Sequence, residues 1–118
     1  HDIGKGFLNG GSQTAWMDLD RVAFPLTVRS ARPGDRFVPL GMHGSMKIKD
    51  FFINNKIPPA ERMRVPLVES RGRIIWVGGM RIAEAVKITD TTKSVLKITL
   101  FQNLTDQQLP EEATIERV

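Results

Sequence analysis

The sequence predicts an α+β fold: a small, mainly antiparallel β-sheet domain with one well-defined amphipathic helix and a short second helical turn. Three observations predict it. Short apolar or alternating runs at Phe24–Arg29, Arg73–Val77 and Val95–Phe101 read as strands, and Gly- or Pro-containing turns separate them. A single segment, after Ser45, repeats apolar residues at three and four positions, at Ile48, Phe51 and Phe52, which is helical spacing. No internal repeat or linker divides the 118 residues, a length suited to one domain with a modest core.

Residues 1–14 form a loose polar segment that opens without an initiator methionine and is expected to be a linker from a preceding catalytic part. Trp16–Arg21 and Phe24–Arg29 are extended on either side of Pro25, with Leu26 and Val28 alternating against Thr27 and Arg29. Pro33 presets φ for the second position of a tight turn and Gly34 supplies the positive φ of a type II turn, so Asp35 and Arg36 re-enter extended backbone. Phe37–Leu40 continues that path until Gly41 breaks it. Gly41 and Gly44 permit close backbone approach, and Ser45 is a good helix N-cap. Lys47 and Lys49 then fall in the first helical turn, where free N–H groups and lysines together suit an anion. Asn54 and Asn55 end the pattern. Pro58 blocks continuation, and Pro59 opens the second helical turn through Glu61 and Arg62.

Val65–Val68 and Arg73–Val77 form a hairpin about Arg71-Gly72, and RIIWV is apolar on both faces, as a central strand is. Gly78 and Gly79 interrupt it. Ile82–Ile88 mixes a helical AEAV with a later part, VKIT, that reads as strand. In Val95–Phe101, Leu96, Ile98 and Leu100 share a face opposite Lys97 and Thr99. Residues 102–118 are a polar tail. The expected core is Phe37, Ile48, Phe51, Phe52, Ile74, Trp76, Leu96 and Ile98.

Composition narrows the chemistry. The absence of cysteine excludes disulfide frameworks, thiolate zinc sites and cysteine nucleophiles, and fits the cytoplasm. No apolar run approaches the roughly 18 residues that span a bilayer, so no membrane partner is expected. Only His1 and His43 are present, one terminal and one in a glycine loop, which argues against a histidine triad or a histidine-rich metal site. Asp18 and Asp20 alternate with Met17 and Leu19 and read as a solvated strand face. Asp35 reads as a turn acid and Asp50 as an ion-pair partner for nearby cations. The GMHGSMK segment lacks the Gly-Lys-Ser/Thr ending of an ATP loop.

Seventeen Lys plus Arg against thirteen Asp plus Glu give a net charge of +4, favouring polyanionic partners. Ten cations, Arg29, Arg32, Arg36, Lys47, Lys49, Lys56, Arg62, Arg64, Arg73 and Arg81, follow one another along one stretch. A solvated basic face and a phosphate-tracking surface both fit them. Phe51, Phe52 and Trp76 lie in core contexts, which favours backbone recognition over base readout, and the role of Trp16 stays open.

The run LTVRSARPGDRFVPLGMHGSMKIKDFFINNKIPPAERMRVPLVESRGRIIWVGGMRI resembles the C-terminal domain of bacterial tRNA(Ile)-lysidine synthetase. The elements R, PGDRF, PLG, GS, KxKDFF, KIP, R, PL, G, IxWV and GxRI agree in order, and the likeness spans about Trp16 to Leu100. Met46 stands where the family commonly has the first of two lysines, and Arg64 where an aspartate is common.

The resemblance implies a parent ligase that uses ATP and magnesium to adenylate the wobble cytidine of tRNA(Ile) with a CAU anticodon, after which lysine displaces AMP. That chemistry is expected in a separate N-terminal domain with an SGG-type loop, and no SGGxDS occurs here. The present segment is thus expected to be non-catalytic and to hold no cofactor. Residues 15–101 would be the tRNA-binding C-terminal domain, gripping the acceptor-stem side and helping to reject initiator methionine tRNA. Carried over position by position, Arg32, Arg36, Lys47, Lys49, Lys56, Arg62 and Arg81 would contact phosphate or sugar, Asp50 would orient cations, and Gly34, Gly41 and Gly44 would shape loops. The alternative is a domain that docks on its own N-terminal catalytic domain or in a homodimer without touching RNA.

Overall fold

The computed structural model describes residues 11–102 and 112–118. The described residues form two antiparallel sheets, a short two-stranded ribbon and one α-helix. The first sheet orders β1 (Gly11–Asp18), β8 (Val95–Gln102) and β9 (Glu112–Arg117) with β8 central. The second orders β2 (Leu26–Arg29), β5 (Leu67–Ser70), β6 (Arg73–Val77) and β7 (Arg81–Ile82). β3 (Arg36–Phe37) and β4 (Met46–Lys47) pair as a ribbon that runs directly into α1 (Ile48–Asn54).

Local chemistry explains the turns. Arg71 and Gly72 both have positive φ, 48° and 89°, which is the twist-matched two-residue hairpin turn joining β5 to β6. All eight expected core residues are buried. In β8, Leu96, Ile98 and Leu100 face inward at period two, and across from them Ala15 and Met17 of β1 do the same. α1 buries Ile48, Phe51 and Phe52, and the Phe51 ring meets Phe37 edge-on at 5.1 Å. The second helical turn is a 3-10 segment at Pro59–Arg64 with proline at its start.

Several elements differ from the sequence reading. β1 begins at Gly11, within the segment expected to be loose, and β9 lies within the expected polar tail. Both cover the edges of β8 through backbone pairing, which makes little demand on side-chain hydrophobicity. Leu19–Arg21 is a 3-10 turn rather than strand. Asp18, expected on a solvated face, is 5% exposed. It caps that turn by accepting from the Asp20 N–H at 3.0 Å and also accepts from the Thr92 hydroxyl at 3.0 Å, so its burial is compensated. β5 starts at Leu67 instead of Val65, because Pro66 has no N–H for the ladder. The stretch Lys87–Ile88 is not strand: Glu84–Val86 is a 3-10 turn, and Thr89 and Thr92 close a further turn beyond it. Among the described residues no helix is long and apolar enough to cross a membrane.

Candidate nucleic-acid interface

The Arg32–Asp35 corner is a type II turn: the Asp35 N–H donates to the Arg32 carbonyl at 3.1 Å and Gly34 sits at φ 89°. Asp35 then organises its surroundings. Its carboxylate accepts from the Arg32 N–H at 2.7 Å and takes both terminal nitrogens of Arg29, at 2.8 and 3.0 Å. Arg29 also donates to Glu69 of β5 at 3.1 Å. The hydrogen-bonded guanidinium holds the Asp35 carboxyl below its ordinary value, and the same contact raises Arg29. Arg29 is therefore an internal strut, 11% exposed, and not one of the surface cations its place in the sequence suggested.

The corner is also tied to the helix, since the Ile48 N–H donates to the Asp35 carbonyl at 2.9 Å. Lys47, not Ser45, occupies the N-cap position and makes no side-chain cap bond. The Ser45 hydroxyl instead accepts from Arg36 Nε at 3.1 Å, and the Ser45 carbonyl from Arg36 Nη2 at 3.3 Å.

Between corner, helix start and second helical turn lies a hollow of about 310 Å³. Arg32, Lys47, Lys49 and Arg62 line it, over apolar walls that include Pro33, Ile48 and Phe52. Arg36 stands directly across the ribbon from Lys47, while their neighbours Phe37 and Met46 form the opposite pair. Opposed residues of an antiparallel pair share a face, so the ribbon turns Phe37 and Met46 inward and Arg36 and Lys47 outward. Five of the seven expected contact residues thus come together. Arg62 is oriented by its Nε bond to the Ile57 carbonyl at 2.9 Å.

The other two expected contacts lie elsewhere. Lys56, at φ 58°, follows the C-terminal end of α1, and Arg81 covers the Phe51 ring at 5.7 Å. Asp50 is exposed in the first turn of α1 and makes no ion pair among the described residues. Of the glycines expected to shape loops, Gly34 and Gly41 have positive φ, and the Gly41 N–H donates to Glu84 at 2.8 Å. Gly44 has neither a positive φ nor a close neighbour. Sequence reasoning missed the apolar walls of the hollow, because Ile48 and Phe52 carry the same helical signature whether wholly buried under neighbours or edging a depression.

The corner, ribbon, helix and hollow all fall inside residues 26–98, which match the sequence model of the TilS substrate C-terminal domain. The chain is 41% identical over 91 residues to the tRNA(Ile)-lysidine synthase of Clostridium acetobutylicum, covering 77% of this chain and 20% of that protein. It is 43% identical over 90 residues to the tRNA(Ile)-lysidine synthase of Caldanaerobacter subterraneus subsp. tengcongensis, covering 76% and 19%. The chain therefore spans about a fifth of the length of these relatives. Among solved structures, a crystal structure of a TilS C-terminal domain superposes with a TM-score of 0.63 at 36% identity, covering 77% of this chain and 72% of the other. An N-terminal fragment of the Pyrococcus horikoshii phenylalanyl-tRNA synthetase beta-subunit gives 0.65 at 18% identity, covering 80% and 29%, a likeness of fold alone. With more than half of its length inside the family match and its fold shared with a solved member, the chain belongs to the TilS substrate C-terminal domain family.

Proposed function

We propose that this domain grips the sugar-phosphate backbone of tRNA(Ile), on the acceptor-stem side, within a cytoplasmic tRNA(Ile)-lysidine synthase. One observation carries the reading: Arg32, Lys47, Lys49 and Arg62 converge on one hollow, with Arg36 across the ribbon from Lys47. Arg36 and Arg62, whose guanidiniums are already oriented by bonds to Ser45 and Ile57, lose less side-chain freedom on meeting a phosphate than a free surface cation does. The relatives are named as enzymes acting on tRNA(Ile), which supports the choice of polyanion. In this reading ATP, magnesium and the ligation itself belong to the N-terminal catalytic part of the parent enzyme.

The test is a titration with isoleucine tRNA and initiator methionine tRNA across a salt series. Lys47→Ala and Lys49→Ala should each lower the salt slope by about one and weaken binding to both RNAs. Charge reversal at Arg36 or Lys49 should weaken binding further. Unchanged affinity and salt dependence in those reversals would sink the reading in favour of docking without RNA contact. Tighter binding of isoleucine tRNA would assign discrimination to this domain, and equal affinities would make it a general electrostatic grip.

A further inference from the structure

Trp16 departs from the other tryptophan and the ring residues of the core. Trp76, Phe37, Phe51 and Phe52 are buried, whereas Trp16 is 51% exposed. Its strand neighbours Ala15 and Met17 are the ones that face the core, so alternation turns the indole outward. Across the β1–β8 ladder Trp16 pairs with Lys97, whose ammonium lies 6.0 Å from the ring centroid. Beside the indole opens a second hollow, of about 320 Å³, bounded by β1 and the β6–β7 turn. Gln13, Trp16, Trp76, Met80 and Arg81 are among its lining residues.

The volume is at the lower end of the range for small-molecule sites. An aliphatic ligand would make no use of Gln13 or Arg81, and a simple anion would make none of the exposed Trp16 indole. A flat heteroaromatic ring with a polar edge and an attached phosphate uses all of them. We propose that this hollow receives an unpaired nucleobase of the bound RNA, stacked on Trp16, with Gln13 facing its hydrogen-bonding edge and Arg81 its phosphate. The proposal rests on the reading that the domain holds RNA, and it gives Arg81 a role outside the basic hollow. Arg81 also covers Phe51 of α1, whose neighbour Phe52 lines that first hollow, so one arginine stands between the helix and the second hollow. One RNA could lay paired backbone along the first and an unpaired end in the second.

The test titrates the chain with a single-stranded oligoribonucleotide and with the blunt duplex of the same strand, following tryptophan emission and affinity. Single strand should quench the emission saturably. Trp16→Ala should weaken single-strand binding by about 5- to 160-fold, the range of one aromatic–base stack, and leave duplex binding and its salt slope intact. Trp16→Phe should keep most of the affinity, and Gln13→Ala should shift preference among the four homopolymers. Because Trp16 is exposed, its thermal transition should survive truncation; were it lost, Trp16→Phe and Gln13→Ala carry the test. Equal losses for single strand and duplex, or no loss with Trp16→Ala, would overturn the proposal. Lys49→Glu separates the two readings: it should weaken both RNA forms, and if it is silent and neither RNA binds, RNA binding fails as a whole.

Discussion

Replacing Asp35 with alanine is expected to cost about 3 kcal/mol of stability and lower the melting temperature by about 10 °C. Asp35 and Arg29 are only 13% and 11% exposed, and the carboxylate meets the guanidinium through two bonds. Truncation leaves Arg29 charged, with Glu69 as its remaining carboxylate, and the Arg32 N–H loses its acceptor. Removing one partner of a mostly buried pair is far more costly than deleting a surface ion pair. Asp35→Asn keeps the shape and an acceptor, so it should lose less. Thermal melts of both variants check the order.

The same pair sets a pH dependence. The folded-state value of Asp35 lies below its ordinary one, so its contribution is fully present above about pH 4 and is lost as pH falls through the lowered value. The stability gap between the parent chain and Asp35→Asn should therefore shrink as the solution is acidified below pH 4. A gap that stays constant down to full protonation would contradict the assignment. The consequence reaches the binding surface, because the Asp35 carboxylate fixes the corner through Arg29 and the Arg32 N–H, and the main-chain carbonyl of that corner receives the Ile48 N–H that begins α1. Asp35→Ala should also weaken RNA binding without removing a single surface cation.

Gly78→Ala is expected to cost about 3 kcal/mol, the upper part of the range for overpacking a tight core. A Cβ there would lie 2.6 Å from Pro66 Cγ, 3.0 Å from the Pro66 carbonyl oxygen and 3.2 Å from Leu100 Cδ1. The proline ring is tethered to its own backbone, and that backbone accepts the Gly78 N–H at 2.7 Å, so little can give way. Leu100 belongs to β8, hence the close approach joins the two sheets. Gly44→Ala is the control, since its Cβ would meet nothing within 4 Å, and it should change stability by less than about 0.5 kcal/mol. Equal melting temperatures for the two variants would refute the packing argument.

Local chemistry made part of this molecule readable from residues a few positions apart. The Pro33-Gly34 corner, the Arg71-Gly72 hairpin, the buried face of α1 and the alternation of β8 each depend on nearby side chains and allowed φ values. The N-cap was misread for a related reason: Ser45 is a good cap in isolation, yet Arg36 from the facing strand takes its hydroxyl. Likewise VKIT has strand-forming residues, but among the described residues no strand pairs with it.

Apolar periodicity and turn chemistry were enough to set the fold class, and motif order and charge the family resemblance and the set of candidate cations. Which cations share a surface was decided by tertiary structure alone. Arg29 turned inward because Glu69, remote in the chain, closes on it together with Asp35, whereas Arg62 reached Arg32 because the second helical turn folds back beside the corner. Trp16 turned outward because the pairing with β8 fixed which face of β1 the core would take. Burial and strand pairing depend on partners distant in sequence, and a local pattern carries no record of who they will be.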